Sequence, residues 1–111
     1  MRNKDDNQFL LTEEKDKSSE TTCYFTVKGR VDSINASFMQ QQLEKALQRG
    51  YKNIVINMCR VMFFSSVGIR AVLSIHKKAV EEGGRLQIDN PAENVKNVLG
   101  MTALDELLLR K

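Results

Sequence analysis

The run Asn53-Ile54-Val55-Ile56-Asn57-Met58-Cys59, continuing through Val61-Met62-Phe63-Phe64 into Ser65-Ser66-Val67-Gly68-Ile69, decides how the rest of the chain is read. Its first half is almost continuously apolar and β-branched, as expected of a central strand covered on both faces. Apolar residues then recur at helical spacing: Ile69, Val72, Leu73, His76, Ala79 and Val80 share one face of a helix. Gly83-Gly84 ends it. The segment is therefore a strand feeding a helix, with two serines at the junction.

Upstream, Thr22 to Lys28 carries the Thr, Tyr, Phe and Val content of a strand, and Gly29 breaks the run. Phe9-Leu10-Leu11, within Gln8 to Glu13, is a first strand. The polar stretch Lys15 to Glu20 reads as the turn between them. Gly29-Arg30-Val31-Asp32 leads into a helix with Asn35 as the expected N-cap and Phe38, Met39, Leu43, Ala46 and Leu47 as its apolar face. Gly50 is placed to stop that helix. Downstream, Arg85 to Asp89 alternates as a strand. Asn90-Pro91 reads as the cap and first residue of a helix whose inward side is Val95, Val98 and Leu99. Asp105 to Leu109 fits either a short helix or a strand.

Strands alternating with helices imply crossover connections and an α/β layer fold. The expectation is one domain over residues 8–111, with residues 1–7 as a polar, flexible tail. Its sheet is mixed, mostly parallel, of four to five strands, with helices packed mainly on one side.

Composition narrows the function. The chain has 111 residues, 41% hydrophobic and 28% charged, which suits one modest core. No apolar run approaches the length of a membrane span and the start is polar, so an intracellular, cytoplasmic protein without membrane insertion is expected. The net charge of +3 is spread over interspersed signs, apart from a basic cluster near Lys77-Lys78. There is no basic stripe with interleaved aromatics, which argues against direct nucleic-acid binding. Cys23 and Cys59 both lie in strand-like apolar runs and read as buried thiols. One histidine, His76, cannot build a metal site alone, so neither metal nor cofactor is expected. No Walker loop, GxGxxG or GxSxG element occurs. A Ser-His-Asp triad would have to use His76, which the helical phase turns toward the apolar face. The chain therefore reads as a non-enzyme.

The residues at the strand–helix junction carry a resemblance. Ile54 to Ile69 is similar to the signature of STAS-domain anti-sigma factor antagonists: a hydrophobic strand, a short turn, then an aromatic and Asp-Ser-Ser-Gly-Leu. Gly29-Arg30-Val31-Asp32 resembles the family's Gly-x-Leu-Asp before the first helix. Gly83-Gly84-Arg85-Leu86 resembles its Gly-Gly before a strand. Asn90-Pro91 through Val95 and Leu99, then Met101 to Leu104, resemble its last helical stretch. The likeness covers about residues 8 to 110 in consistent order.

The resemblance implies a protein-interaction domain that is switched by phosphorylation and regulates transcription indirectly. A serine kinase that is also the anti-sigma factor modifies the serine after the family's Asp, and a phosphatase reverses it. Here that serine is Ser66. Ser65 stands where the family has Asp, which makes it a rival acceptor, and Val67 takes the second serine position. Asp32, Ser65, Ser66 and Val67, with Arg30 and Arg70 at a polar rim, are the implied partner-binding residues; Ile69 next to them reads as core. Small STAS domains also serve as constitutive subunits of signalling or transporter assemblies, in which Ser66 would be an unmodified helix residue. Nucleotide binding, raised for some members, finds no phosphate loop here.

Overall fold

A computed structural model describes residues 8–15 and 19–110. The expected tail at residues 1–7 and the middle of the expected turn, residues 16–18, lie outside them. The chain forms β1 (Leu10–Glu13), β2 (Thr22–Val31), α1 (Ser33–Gln48), β3 (Asn53–Phe64), α2 (Ser66–Glu81), β4 (Arg85–Asp89), α3 (Glu93–Met101) and α4 (Asp105–Leu108). The sheet order is β1-β2-β3-β4. β1 pairs antiparallel with β2, while β2–β3 and β3–β4 are parallel. The mixed, mostly parallel sheet of the α/β layer fold is thus as expected.

One face of the sheet carries the core. Cys23, Phe25 and Val27 of β2 lie beside Ile54, Ile56 and Met58 of β3 and Leu86 and Ile88 of β4, all buried. Onto this face pack Ala36, Met39, Leu43 and Ala46 of α1, Ile69, Val72 and Ile75 of α2, Val95 and Leu99 of α3, and Leu108 of α4. The spacings within α1 and α2 are those of one helical stripe. Burying the apolar area of this single cluster is the main force holding the layers together.

The opposite face is open, so β3 is not covered on both sides along its length. Val55 is buried there, in register with Tyr24 and Gln87, but Asn53 and Asn57 are only half-buried. β4 ends opposite Asn57, and Cys59 lies beyond that point. Cys59 is consequently exposed, whereas Cys23 is fully buried. The expectation of two buried thiols fails at Cys59 because it alternates with core-facing Met58 onto the open face, past the end of β4. Phe38 and Val80, assigned inward, are about half exposed; Phe38 packs edge-to-face on Phe9 at 6.1 Å.

Three local expectations are corrected. Gly29 does not end β2. It sits at an irregularity in the β2–β3 register with φ +92°, and the strand continues to Val31. A Cβ at Gly29 would lie 2.4 Å from the Gln8 carbonyl oxygen, so the backbone of Gln8 passes over the glycine. Helix α1 is capped by Asp32, not Asn35: the Asp32 carboxylate accepts from the Asn35 amide at 3.0 Å, and the Asn35 side chain donates to the Arg30 carbonyl at 2.8 Å. Helix α3 starts after Ala92, not at Asn90-Pro91. Asn90 is in the left-handed region, turning the chain out of β4, and the Ala92 amide is held by the Met58 carbonyl of β3 at 3.0 Å.

His76 is buried on the inner side of α2, and its Nδ1 accepts from the Leu86 amide at 3.1 Å, tying α2 to β4. Burial pushes its imidazole below the usual histidine range, with Arg85 adding to the effect. The last segment takes the helical reading: Asp105–Leu108 is a short helix, and Leu109 after it makes one isolated parallel bridge with Ile88.

Candidate functional site

β2 and β3 run parallel and end side by side, with Arg30 opposite Phe63 and Val31 opposite Phe64. The next residue of each chain segment caps a helix. Asp32 caps α1, and Ser65 caps α2 by accepting from the Gly68 amide at 3.0 Å. Both caps have extended backbones, as this role requires. The Ser65 amide in turn donates to the Val31 carbonyl at 3.1 Å, which locks the second cap to the end of β2. The two helix N-termini therefore leave the sheet at adjacent points.

Gly68 makes the close approach possible. A Cβ there would lie 2.8 Å from Val31 Cγ1 and 3.0 Å from the Phe64 ring. Ile69 is 8% exposed and belongs to the core, while Val67 is half-buried against it.

The two serines differ in environment. The Ser65 hydroxyl is half-buried and engaged with the Gly68 amide. Ser66 is the first residue of α2 and is exposed; among the described residues no hydrogen bond to its hydroxyl is found. Neither helix has an acidic residue in its first turn, and the cap of α2 is neutral. The partial positive charge at the start of α2 is thus uncompensated, and an anion attached at Ser66 would be favoured there.

Of the residues singled out from the sequence, Arg30, Asp32, Ser65, Ser66 and Val67 meet at this end of the sheet. Arg70 lies one turn further along α2 and is exposed. The Arg30 guanidinium stacks over the Phe63 ring at 4.5 Å. Sequence reasoning missed Phe63 and Ile34, which are 39% and 81% exposed and flank the junction. A signal was available for both. Only one of the adjacent pair Phe63-Phe64 can face the core of a strand, and Ile34 is out of phase with the Ala36-Met39-Leu43 stripe.

His76 is no partner for Ser66. The two are ten residues apart on one helix, about 15 Å along its axis, and His76 Nδ1 is committed to Leu86. Among the described residues no group of three His, Cys, Asp or Glu side chains could hold a metal ion, and no helix is long and apolar enough to cross a membrane.

Comparison with known proteins agrees with this architecture. Residues 14–111 match the STAS domain. BtrV of Bordetella bronchiseptica, named as a candidate anti-sigma factor antagonist, is 28% identical over 72 residues, which are 65% of this chain and 62% of BtrV. The fold is similar to that of the anti-sigma factor antagonist SpoIIAA in its unphosphorylated form, with a TM-score of 0.77, 20% identity, and coverage of 92% of this chain and 86% of that one. It is also similar to Bacillus SpoIIAA, a cell fate determinant, in its phosphorylated form, with a TM-score of 0.70, 20% identity, and coverage of 92% and 89%.

Proposed function

The chain belongs to the STAS domain family, and from that premise we propose that it is an anti-sigma factor antagonist switched by phosphorylation of Ser66. Unphosphorylated, it binds an anti-sigma factor that is also a serine kinase and so frees a sigma factor in the cytoplasm. The kinase transfers the terminal phosphoryl group of ATP to the Ser66 oxygen; the bond to ADP breaks, and the hydroxyl proton passes to a base of the kinase. The modified protein is released, and a separate phosphatase removes the phosphate. The domain is the substrate in both reactions and supplies no catalytic residue. Arg30, Asp32, Ser65, Ser66, Val67 and Arg70 form the contact region.

The observation that carries this reading is the contrast between the serines. Ser65 spends its hydroxyl on the helix cap, whereas Ser66 is exposed at an uncompensated helix start. A phosphate there adds roughly −1.5 to −2 charge without disturbing a described bond, so the fold survives and the partner surface changes.

The test is intact-mass spectrometry of the protein incubated with ATP and each anti-sigma-type serine kinase of the source genome, beside Ser66→Ala and Ser65→Ala. One added phosphate that disappears only in Ser66→Ala is the expected result. Disappearance only in Ser65→Ala would move the acceptor by one residue. No phosphate with any kinase would overturn the switch in favour of a constitutive STAS subunit.

A further inference from the structure

Charge is distributed unevenly over the two helices that start at the junction. Residues 33–43 of α1 carry no charged side chain. Residues 66–80 of α2 carry Arg70, Lys77 and Lys78 and no acid; acidic residues begin only at Glu81. The helical phase turns Ser66, Arg70, Ser74 and Lys77 along one outer stripe, with Ser66, Arg70 and Lys77 exposed and Ser74 half-buried. Arg70, Leu73, Ser74, Lys77 and Lys78 line a shallow depression of about 380 Å³. Its floor is held in place from α1, because the Gln40 side-chain amide donates to the Ser74 hydroxyl at 3.3 Å. Lys78 is paired with Glu44 of α1, but no ion pair of Arg70 or Lys77 is found among the described residues.

We propose that this outer stripe of α2 docks an acidic protein surface, and that phosphorylation of Ser66 cancels the attraction from within the helix. The inference rests on the phospho-switch reading for its second half and on the charge pattern for its first. Arg70 and Lys77, two helical turns apart on either side of half-buried Leu73, fit carboxylates flanking an apolar side chain. A nucleic acid is disfavoured, because α2 has no Phe, Tyr or Trp and carries three cations in all, two of them on the stripe. Ser66 and Arg70 are i and i+4, neighbours on the helix surface. A phosphate on Ser66 reaches the Arg70 guanidinium and pairs with it. The same dianion that repels the partner's carboxylates therefore also removes the nearest cation that attracted them.

Two measurements test this, the first independent of the switch and the second within it. In the first, 15N-labelled protein is titrated with octaglutamate at low salt and followed by NMR. Shifts centred on Arg70, Leu73, Ser74 and Lys77 are expected; shifts centred on Lys28, Arg30 and Arg60 would overturn the surface. In the second, the kinase that modifies Ser66 is bound, with ADP, to wild type and to Arg70→Glu/Lys77→Glu. The double variant should bind at least about tenfold more weakly, with a flatter salt dependence, while Lys52→Glu at the opposite end of β3 binds as wild type. Arg70→Gln/Lys77→Gln serves if the charge reversal impairs folding. Undiminished kinase binding by a folded variant would overturn the surface and leave the switch standing. Octaglutamate shifts on α2 without phosphorylation by any kinase would uphold the surface and sink the switch. Capture of wild type by phosphatidylglycerol vesicles, lost in the double variant, would overturn the acidic protein in favour of a membrane.

Discussion

The two strand-to-helix junctions are built alike and finished differently. In each, a parallel strand ends, one residue with extended backbone caps a helix, and its side chain accepts from the amide three residues on at 3.0 Å. At α1 the cap is the carboxylate of Asp32, which places negative charge at the positive end of the helix. At α2 the cap is the neutral hydroxyl of Ser65, followed by a free, exposed serine. The third helical residue is Asn35 in α1, whose side chain ties back to Arg30, and Gly68 in α2, where the core leaves no room for a side chain. The first junction is electrostatically closed. The second is left able to accept an anion, and that difference between otherwise matching pieces of backbone is what singles out Ser66.

Substitutions can break this comparison in order of size. Gly68→Val drives a branched side chain into Val31 and Phe64 and should cost about 2–3 kcal/mol by urea unfolding. Asn35→Ala, at the matching position of α1, loses one exposed hydrogen bond and should cost well under half as much. Similar losses at both positions would mean that the α2 junction is no tighter than the α1 junction. Next come the caps. Asp32→Ala should cost about 1.5 kcal/mol and Ser65→Ala about 1 kcal/mol, because an ionised acceptor bonds the amide more strongly than a hydroxyl does. Equal costs at low salt would remove the electrostatic contrast. The smallest effect is expected at Ser66→Ala, which should leave thermal stability within about 0.5 kcal/mol of wild type. A larger loss would identify Ser66 rather than Ser65 as the working cap.

Much of this was legible from the residues. Hydrophobic periodicity and strand propensity located β1 to β4 and α1 to α3, with Asp105 to Leu109 open between helix and strand, and the resemblance around Ser65-Ser66-Val67-Gly68 singled out the junction. Cap positions were less legible. Asp and Asn are both favoured cap types, and what selects Asp32 over Asn35 is the β2–β3 ladder, which holds the chain extended as far as Val31 opposite Phe64. Asn90 failed as a cap for a related reason: β3 holds the Ala92 amide, so the helix begins later. The exposure of Cys59 follows from its alternation with buried Met58, which puts it on the open face, and from β4 stopping before it.

By itself, the sequence determined the order of strands and helices, the apolar stripes of α1 and α2 and the placing of two serines between β3 and α2. Those features follow from period and propensity, which act over a few residues. The tertiary structure alone decided how the two junctions are held side by side, that Gly68 must stay bare against Val31 and Phe64, and that Gln40 of α1 reaches Ser74 on the outer side of α2. Each of these depends on contacts between segments far apart in the chain, where packing density and the sheet register leave one arrangement.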